Sequence, residues 1–309
     1  MLEYRTQTVF IILFISITCY SQRTSIERFH LNESFTFLHE QQLIIDKIKL
    51  DFPEQSLEAK ISEIAFNKKF NIAIPKINSE IKKLHGVNYD TFLIHLKQRL
   101  NENLKHKKMS KKNALSFMSA VKNSNKESIK SPILEILLSY QYQNNPVDEF
   151  LDNYVTTSSV RSYSNSSIIA LSVKIPMSWK ELDGDSPVML KKFRSNFGTG
   201  KEIITIVSKK LVENDDKLSS SSKTIANSLK KKQYIEINSK VSSYQKRHTF
   251  QYDLLFENNV IQIECITYGN KDENFDLKLQ KLSPLYELII QSIELGKERE
   301  KNNLLSNKI

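Results

Sequence analysis

The hydrophobic period of this chain changes once, and that change limits what it can fold into. Up to about residue 155 the apolar residues recur at helical spacing; from Ile169 onward they mostly alternate as in strands. The change falls in Ser167–Leu182, SIIALSVKIPMSWKEL. There Ile169, Leu171, Val173 and Ile175 alternate, Pro176 stops the run, and Trp179, the only tryptophan, follows the break. A helical half followed by a half rich in antiparallel strands is an α+β chain, and 309 residues are enough for two domains.

The helical half is punctuated by its caps. Phe35, Leu38, Ile45, Ile48 and Phe52 make one stripe, which Pro53 ends. Ser56 is placed as the N-cap of a second helix whose inner face is read as Leu57, Ile61, Ile64 and Ala65. Pro75 marks the first turn of a third, and Gly86 suits its C-terminus. A helix over Tyr89–His106 follows. Ser110 then caps one bearing Leu115, Met118 and Val121. Ser131-Pro132 and Asn145-Pro146 open the last two. The expectation is an irregular bundle of six or seven short helices over residues 22–155.

Residues 156–166, TTSSVRSYSNS, read as a linker. Strands are expected around Ile169–Ile175, Val188–Phe193, Ile203–Val207 and Tyr234–Ile237, with a helix over Lys223–Lys232. Phe250, Tyr252, Leu254 and Phe256 alternate before Asn258-Asn259, and Ile261, Ile263, Cys265 and Thr267 alternate after it, which predicts a hairpin. A helix through Leu277–Ile289 is broken or re-aimed by Pro284. A short edge strand near Ser292–Leu295 and a charged, frayed tail over 296–309 complete the chain.

This order, with its strands IPMSWKEL, SPVMLKKF and EIITIVSK, the hairpin TFQYDLLFENNVIQIECIT and the helix LYELIIQSIEL, resembles the PsbP-like α-β-α sandwich family. The resemblance covers roughly residues 167–295 and rests on the order of elements and the Pro176-x-x-Trp179 turn. It implies an antiparallel sheet with helices on its faces and a binding role without catalysis. It transfers no site residue.

The amino terminus points to a compartment. Arg5 precedes an apolar run from Val9 to Ile17, too short to span a bilayer. With Cys19 and Ser21 at the −3 and −1 positions it fits a secretory signal over residues 1–21, cleaved before Gln22. Lipid attachment at Cys19 is the alternative. Cleavage leaves Cys265 as the single cysteine, so no internal disulfide supports the fold, and no transmembrane span is expected in the mature chain. The net charge is +10, but it comes from 37 lysines and only 8 arginines. Lysine is a hydrated point charge, poorly suited to bidentate phosphate or base recognition, so nucleic acid is not the expected partner. Lys105, Lys107, Lys108, Lys111 and Lys112 form the densest basic cluster. It serves either a helix end or contact with an anionic envelope component.

The motifs that carry chemistry fall short. His39-Glu40-Gln41-Gln42-Leu43 has leucine where a zinc protease has its second histidine. Gly198-Thr199-Gly200-Lys201 lacks the other residues of a phosphate loop. Asp183 and Asp185 have no further carboxylates at calcium-loop spacing. Pairing about the Asn258-Asn259 turn sets His248 opposite Gly269 and Cys265 opposite Tyr252, so no thiol–imidazole pair forms. His30, His85, His95 and His106 are scattered along helices, and Trp179 is read as a core plug. No catalytic, cofactor-binding or metal-ligating residue is assigned, and no cofactor is expected. The reading is a non-catalytic secreted or periplasmic protein that binds a protein or an anionic envelope component. The alternative is an enzyme, or an enzyme accessory, with a site between its two domains.

Overall fold

The computed structural model describes residues 28–163, 168–184, 186, 188–195, 202–210, 229–237, 246–256, 259–269 and 274–298. The signal segment, Cys19, Gln22, Asp185, the Gly198–Lys201 stretch and residues 299–309 lie outside them. The chain divides into two compact units, Met1–Gln141 and Tyr142–Ile309.

Unit 1 is helical: α1 (28–51), α2 (Ser56–Lys69), α3 (Ala73–His85), α4 (Tyr89–Lys105), α5 (Lys111–Asn123) and α6 (Ser131–Gln141). Its core is built from Phe35, Ile45 and Ile48 of α1, Phe66 of α2, Ile77 and Ile81 of α3, Leu96 and Leu100 of α4, Met118 of α5 and Leu134 of α6. The Ser110 hydroxyl accepts from Asn113 N–H at 3.2 Å, the expected cap of α5. Gly86, at φ +53°, terminates α3 in a conformation that side chains resist. Ser56 is not a cap: a 3-10 turn over Pro53–Gln55 runs straight into α2. The amino end of α3 is capped from a distance. Gln141 Oε1 accepts from Ile72 N–H at 3.0 Å and Ala73 N–H at 3.2 Å.

The inner face of α2 differs from expectation. Ala59, Ser62 and Phe66 are buried, while Leu57, Ile61 and Ile64 are exposed. Both sides of the helix carry apolar residues, and two of the three buried residues are small. Small residues add little to a hydrophobic stripe, so the larger side chains point the eye to the wrong face.

Unit 2 opens with α7 (Pro146–Leu151), which packs on α8 (Phe275–Gln291) and on β2 (Ile168–Pro176). The helical domain expected to reach residue 155 therefore ends earlier. The expected linker is not one over 156–163. Those residues belong to β1 (Val155–Tyr163), paired antiparallel with β2 along its length. Thr, Val and Tyr favour strands, and β1 lies at a sheet edge, where a polar strand needs little apolar alternation. β9 (Glu294–Glu298) lines the other side of β2, so the start of the expected frayed tail is strand.

The second sheet has the order β3-β4-β5-β8-β7-β6, antiparallel throughout. Its strands are β3 (Trp179–Leu182), β4 (Met189–Ser195), β5 (Glu202–Lys210), β6 (Leu229–Ile237), β7 (Lys246–Phe256) and β8 (Asn259–Gly269). Leu229–Lys232, expected to end a helix, begins the edge strand β6; Lys223–Ser228 lie outside the described residues. The β7–β8 hairpin pairs Phe256 with Asn259, so its turn falls one residue earlier than Asn258-Asn259. His248 thus opposes Thr267 and Cys265 opposes Phe250, each two residues from the expected partner. The shift is even, so every side chain stays on its expected face. Helix α8 continues through Pro284. Proline inside a helix costs about 3 kcal/mol, which the burial of Leu282, Leu285, Tyr286, Ile289 and Ile290 offsets.

The core of unit 2 joins both sheets to α8. Val160, Leu171 and Val173 from the small sheet share one cluster with Phe193, Ile204, Ile263 and Tyr252 from the large one and with Leu285 and Ile289 of α8.

Candidate functional site

Pro176–Trp179 is where the chain crosses from one sheet to the other. Pro176 ends β2, Met177 and Ser178 turn, and Trp179 starts β3 as a buried member of the core. The turn is pinned from α7. The Glu149 carboxylate accepts from Ser178 N–H at 2.7 Å and from the Ser178 hydroxyl at 2.6 Å. The backbone closes the same knot, Tyr154 N–H donating to Glu149 O and Met177 N–H to Tyr154 O. Burial pushes the Glu149 carboxyl up to about 7, against the pull of its two bonds from Ser178. Nearby, the Tyr142 hydroxyl donates to Asp152 at 2.6 Å.

A second polar group lies at one end of the large sheet. Trp179 opposes Ser195, Glu202 opposes Thr267, and Thr267 opposes His248. The Ser195 hydroxyl donates to Glu202, and Lys278 of α8 lies 3.1 Å from the other Glu202 oxygen. Lys278 also donates to Tyr268 O at 2.9 Å, and Thr267 shares a 2.8 Å hydrogen bond with Tyr286. All of these side chains but that of Tyr268, whose backbone alone takes part, are buried. Burial, and then the Glu202 charge, hold the Tyr286 phenol well above its ordinary range; burial depresses His248 and raises the Cys265 thiol. A thiol raised by burial is a poor nucleophile at neutral pH. Sequence reading missed both Glu149 and this row. Glu149 sits beside Asp148 in the acidic first turn of α7 and Glu202 at the head of β5, and neither position marks its distant partner, Ser178 for the one and Lys278 for the other.

The other weighed residues are separate. His39 packs edge-on to Phe35 at 4.5 Å, its pKa lowered by burial and by Lys97. Asp183 is exposed. His85 stacks on Phe92 at 3.8 Å, and His30 meets Glu33 at 3.0 Å. Among the described residues no cluster of three or more His, Cys, Asp and Glu is arranged to hold a metal.

Unit 1 carries open surface features. A groove of about 540 Å³ lies between α1 and α4, lined by Leu43, Leu50 and Leu104 with Asp46, Glu102 and Lys105 among its polar residues. The basic cluster at Lys105–Lys112 is exposed. Lys111 reaches Glu54 at 3.1 Å, which sets that cluster beside the start of α2.

No protein-family model matches the chain, and no curated protein matches it. Among solved structures, the chain is similar to the solution structure of cyanobacterial PsbP (CyanoP) from Synechocystis sp. PCC 6803. The identity is 11% and the TM-score 0.26, over 46% of this chain and 93% of that one.

Proposed function

We propose that this chain is a non-catalytic binding protein, secreted or periplasmic, that recognises a protein or an anionic envelope component through its exposed surface. The observation that carries this reading is the division of labour among polar groups. Glu149 with Ser178, Glu202 with Ser195 and Lys278, and Thr267 with Tyr286 are buried and engaged across elements of unit 2. Groups so engaged fix strands and turns. The lysine-rich helical surface of unit 1, in contrast, is open to solvent. Among the described residues no helix is long and apolar enough to cross a membrane. The mature chain, immobilised and challenged with envelope extract, is expected to retain a component that high salt releases. Retention of nothing, together with turnover of a small molecule, would overturn the reading. Sequencing of the exported protein is expected to start at Gln22; a start at Met1 removes the compartment.

A further inference from the structure

We propose that the exposed face of α2, with the adjoining side of α5, is a docking surface for an anionic lipid bilayer; this rests on the binding role proposed above. Leu57, Ile61 and Ile64 fall at i, i+4 and i+7, one side of a helix, and all are exposed, Leu57 by 72% and Ile64 by 55%. The opposite side of α2 is buried through Ala59, Ser62 and Phe66, the last of which meets Phe37 of α1, and α2 also packs on α5, so the stripe is not a displaced core face.

Polar contacts tie α5 to α2 and to the turn before it. Lys111 at the start of α5 pairs with Glu54, Lys122 near its end pairs with Glu58, and Lys69 donates to Asn123 O at 2.8 Å. Leu115 lies one turn beyond Lys111 and two turns before Lys122, on the side of α5 that reaches toward α2, and it is 44% exposed. It therefore extends the apolar stripe sideways.

Charge selects the occupant. Together α2 and α5 hold six lysines and two glutamates. Both glutamates are drawn into ion pairs, Glu58 with Lys122 and Glu63 with Lys49 at 2.8 Å. Lys60, Lys68 and Lys112 stand exposed around the stripe, and Lys107 and Lys108 extend the basic rim beyond the start of α5. A second copy of so basic a face would be repelled. An apolar stripe with a lysine rim is the arrangement that lies in a bilayer interface, the apolar side chains entering the acyl boundary and the ammonium groups meeting anionic headgroups.

Co-sedimentation of the full chain with vesicles tests this, using phosphatidylcholine alone and phosphatidylcholine mixed with phosphatidylglycerol. Binding is expected only to the mixed vesicles and is expected to weaken with salt. The Lys60→Ser/Lys68→Ser variant should lose about fivefold per lysine removed. The Ile61→Glu/Ile64→Glu variant changes only exposed positions, so it should fold with an unaltered circular dichroism spectrum yet fail to bind. Three outcomes overturn the proposal. In the first, the glutamate variant binds as wild type does, which leaves a binder that uses another face. In the second, vesicles are ignored while envelope extract still yields a captured protein, which leaves the binding role intact. In the third, neither vesicle nor extract component is bound, and both readings fall.

Discussion

Glu149 offers a direct measure of how the two sheets of unit 2 are held together. Its carboxylate is buried and paired only with neutral donors, Ser178 N–H and the Ser178 hydroxyl, so its ionised form is tolerated at a cost. The carboxyl ordinarily titrates at 4.5 and is pushed up to about 7 in the fold. Each pH unit of postponed ionisation is worth about 1.4 kcal/mol, which makes the cost about 3 kcal/mol once the group is fully charged. The folded state binds the proton more tightly than the unfolded chain does. The stabilisation is therefore fully present below the unfolded value and is lost as pH rises through the folded one. In Glu149→Gln the amide oxygen still accepts from Ser178 N–H and the amide nitrogen donates to the Ser178 hydroxyl, with no charge to bury. Urea denaturation is followed through Trp179, the sole tryptophan, which lies buried beside the same turn. Between about pH 4 and pH 8 the wild-type chain is expected to lose about 3 kcal/mol more stability than Glu149→Gln. His39 and His248, whose pKa values are lowered by burial, change stability in the opposite sense as pH rises. They are common to both proteins and cancel in the difference. Parallel stability curves for the two proteins would refute the argument. The companion Glu149→Ala leaves Ser178 N–H buried without an acceptor and should cost about 1–3 kcal/mol at low pH, where the charge plays no part.

Two further substitutions probe the same unit. Trp179→Ala removes a side chain buried between the sheets and should destabilise unit 2 by about 3–5 kcal/mol, read by circular dichroism during urea denaturation; a fully stable variant that had lost only binding would assign Trp179 to a ligand instead. Lys278→Met removes the ammonium group beside the buried Glu202 carboxylate and should cost about 3–5 kcal/mol. Adding Glu202→Gln to it should recover a large part of that loss, and a double variant no better than the single one would show that the ion pair is not what holds α8 to the end of the sheet.

What was legible in the sequence follows from how local the signal is. Ser110, Gly86 and Pro176 act on their own neighbours, and each does what its chemistry dictates. The strands β2, β7 and β8 alternate because Leu171, Val173 and Ile175, Phe250 and Tyr252, and Ile261, Ile263 and Cys265 turn to one core cluster. Three errors share one cause, which is a partner that sequence spacing does not reveal. β1 and β6 are edge strands, one rich in Ser and Thr and the other carrying Lys230, Lys231 and Lys232, so neither announces itself by apolar alternation. Pro284 would break an isolated helix, but α8 is held by the core along its length. The buried face of α2 is built on the small Ala59 and Ser62 beside Phe66, which the larger Leu57, Ile61 and Ile64 conceal. Glu149 was invisible for the same reason: its partner is 29 residues away.

The crossing at Pro176–Trp179 explains what the buried carboxylate of unit 2 does. A strand that leaves one sheet for another exposes backbone donors between them, and a buried donor without an acceptor costs about 1–3 kcal/mol. Met177 N–H finds Tyr154 O, and Glu149 accepts from both Ser178 N–H and the Ser178 hydroxyl. The carboxylate meets both donors from one side chain, and α7 brings Glu149 to the spot by packing against β2 and α8. The turn needs a hydrogen-bonding partner there and not a charge, which is why the amide of Glu149→Gln is expected to serve it at lower cost. The same reasoning assigns the Ser195–Glu202–Lys278 group to closing the end of the sheet under α8. With these ionisable groups committed to joining strands and helices, the recognition proposed for this chain is left to the surface, where the lysines and the apolar stripe of α2 and α5 face solvent.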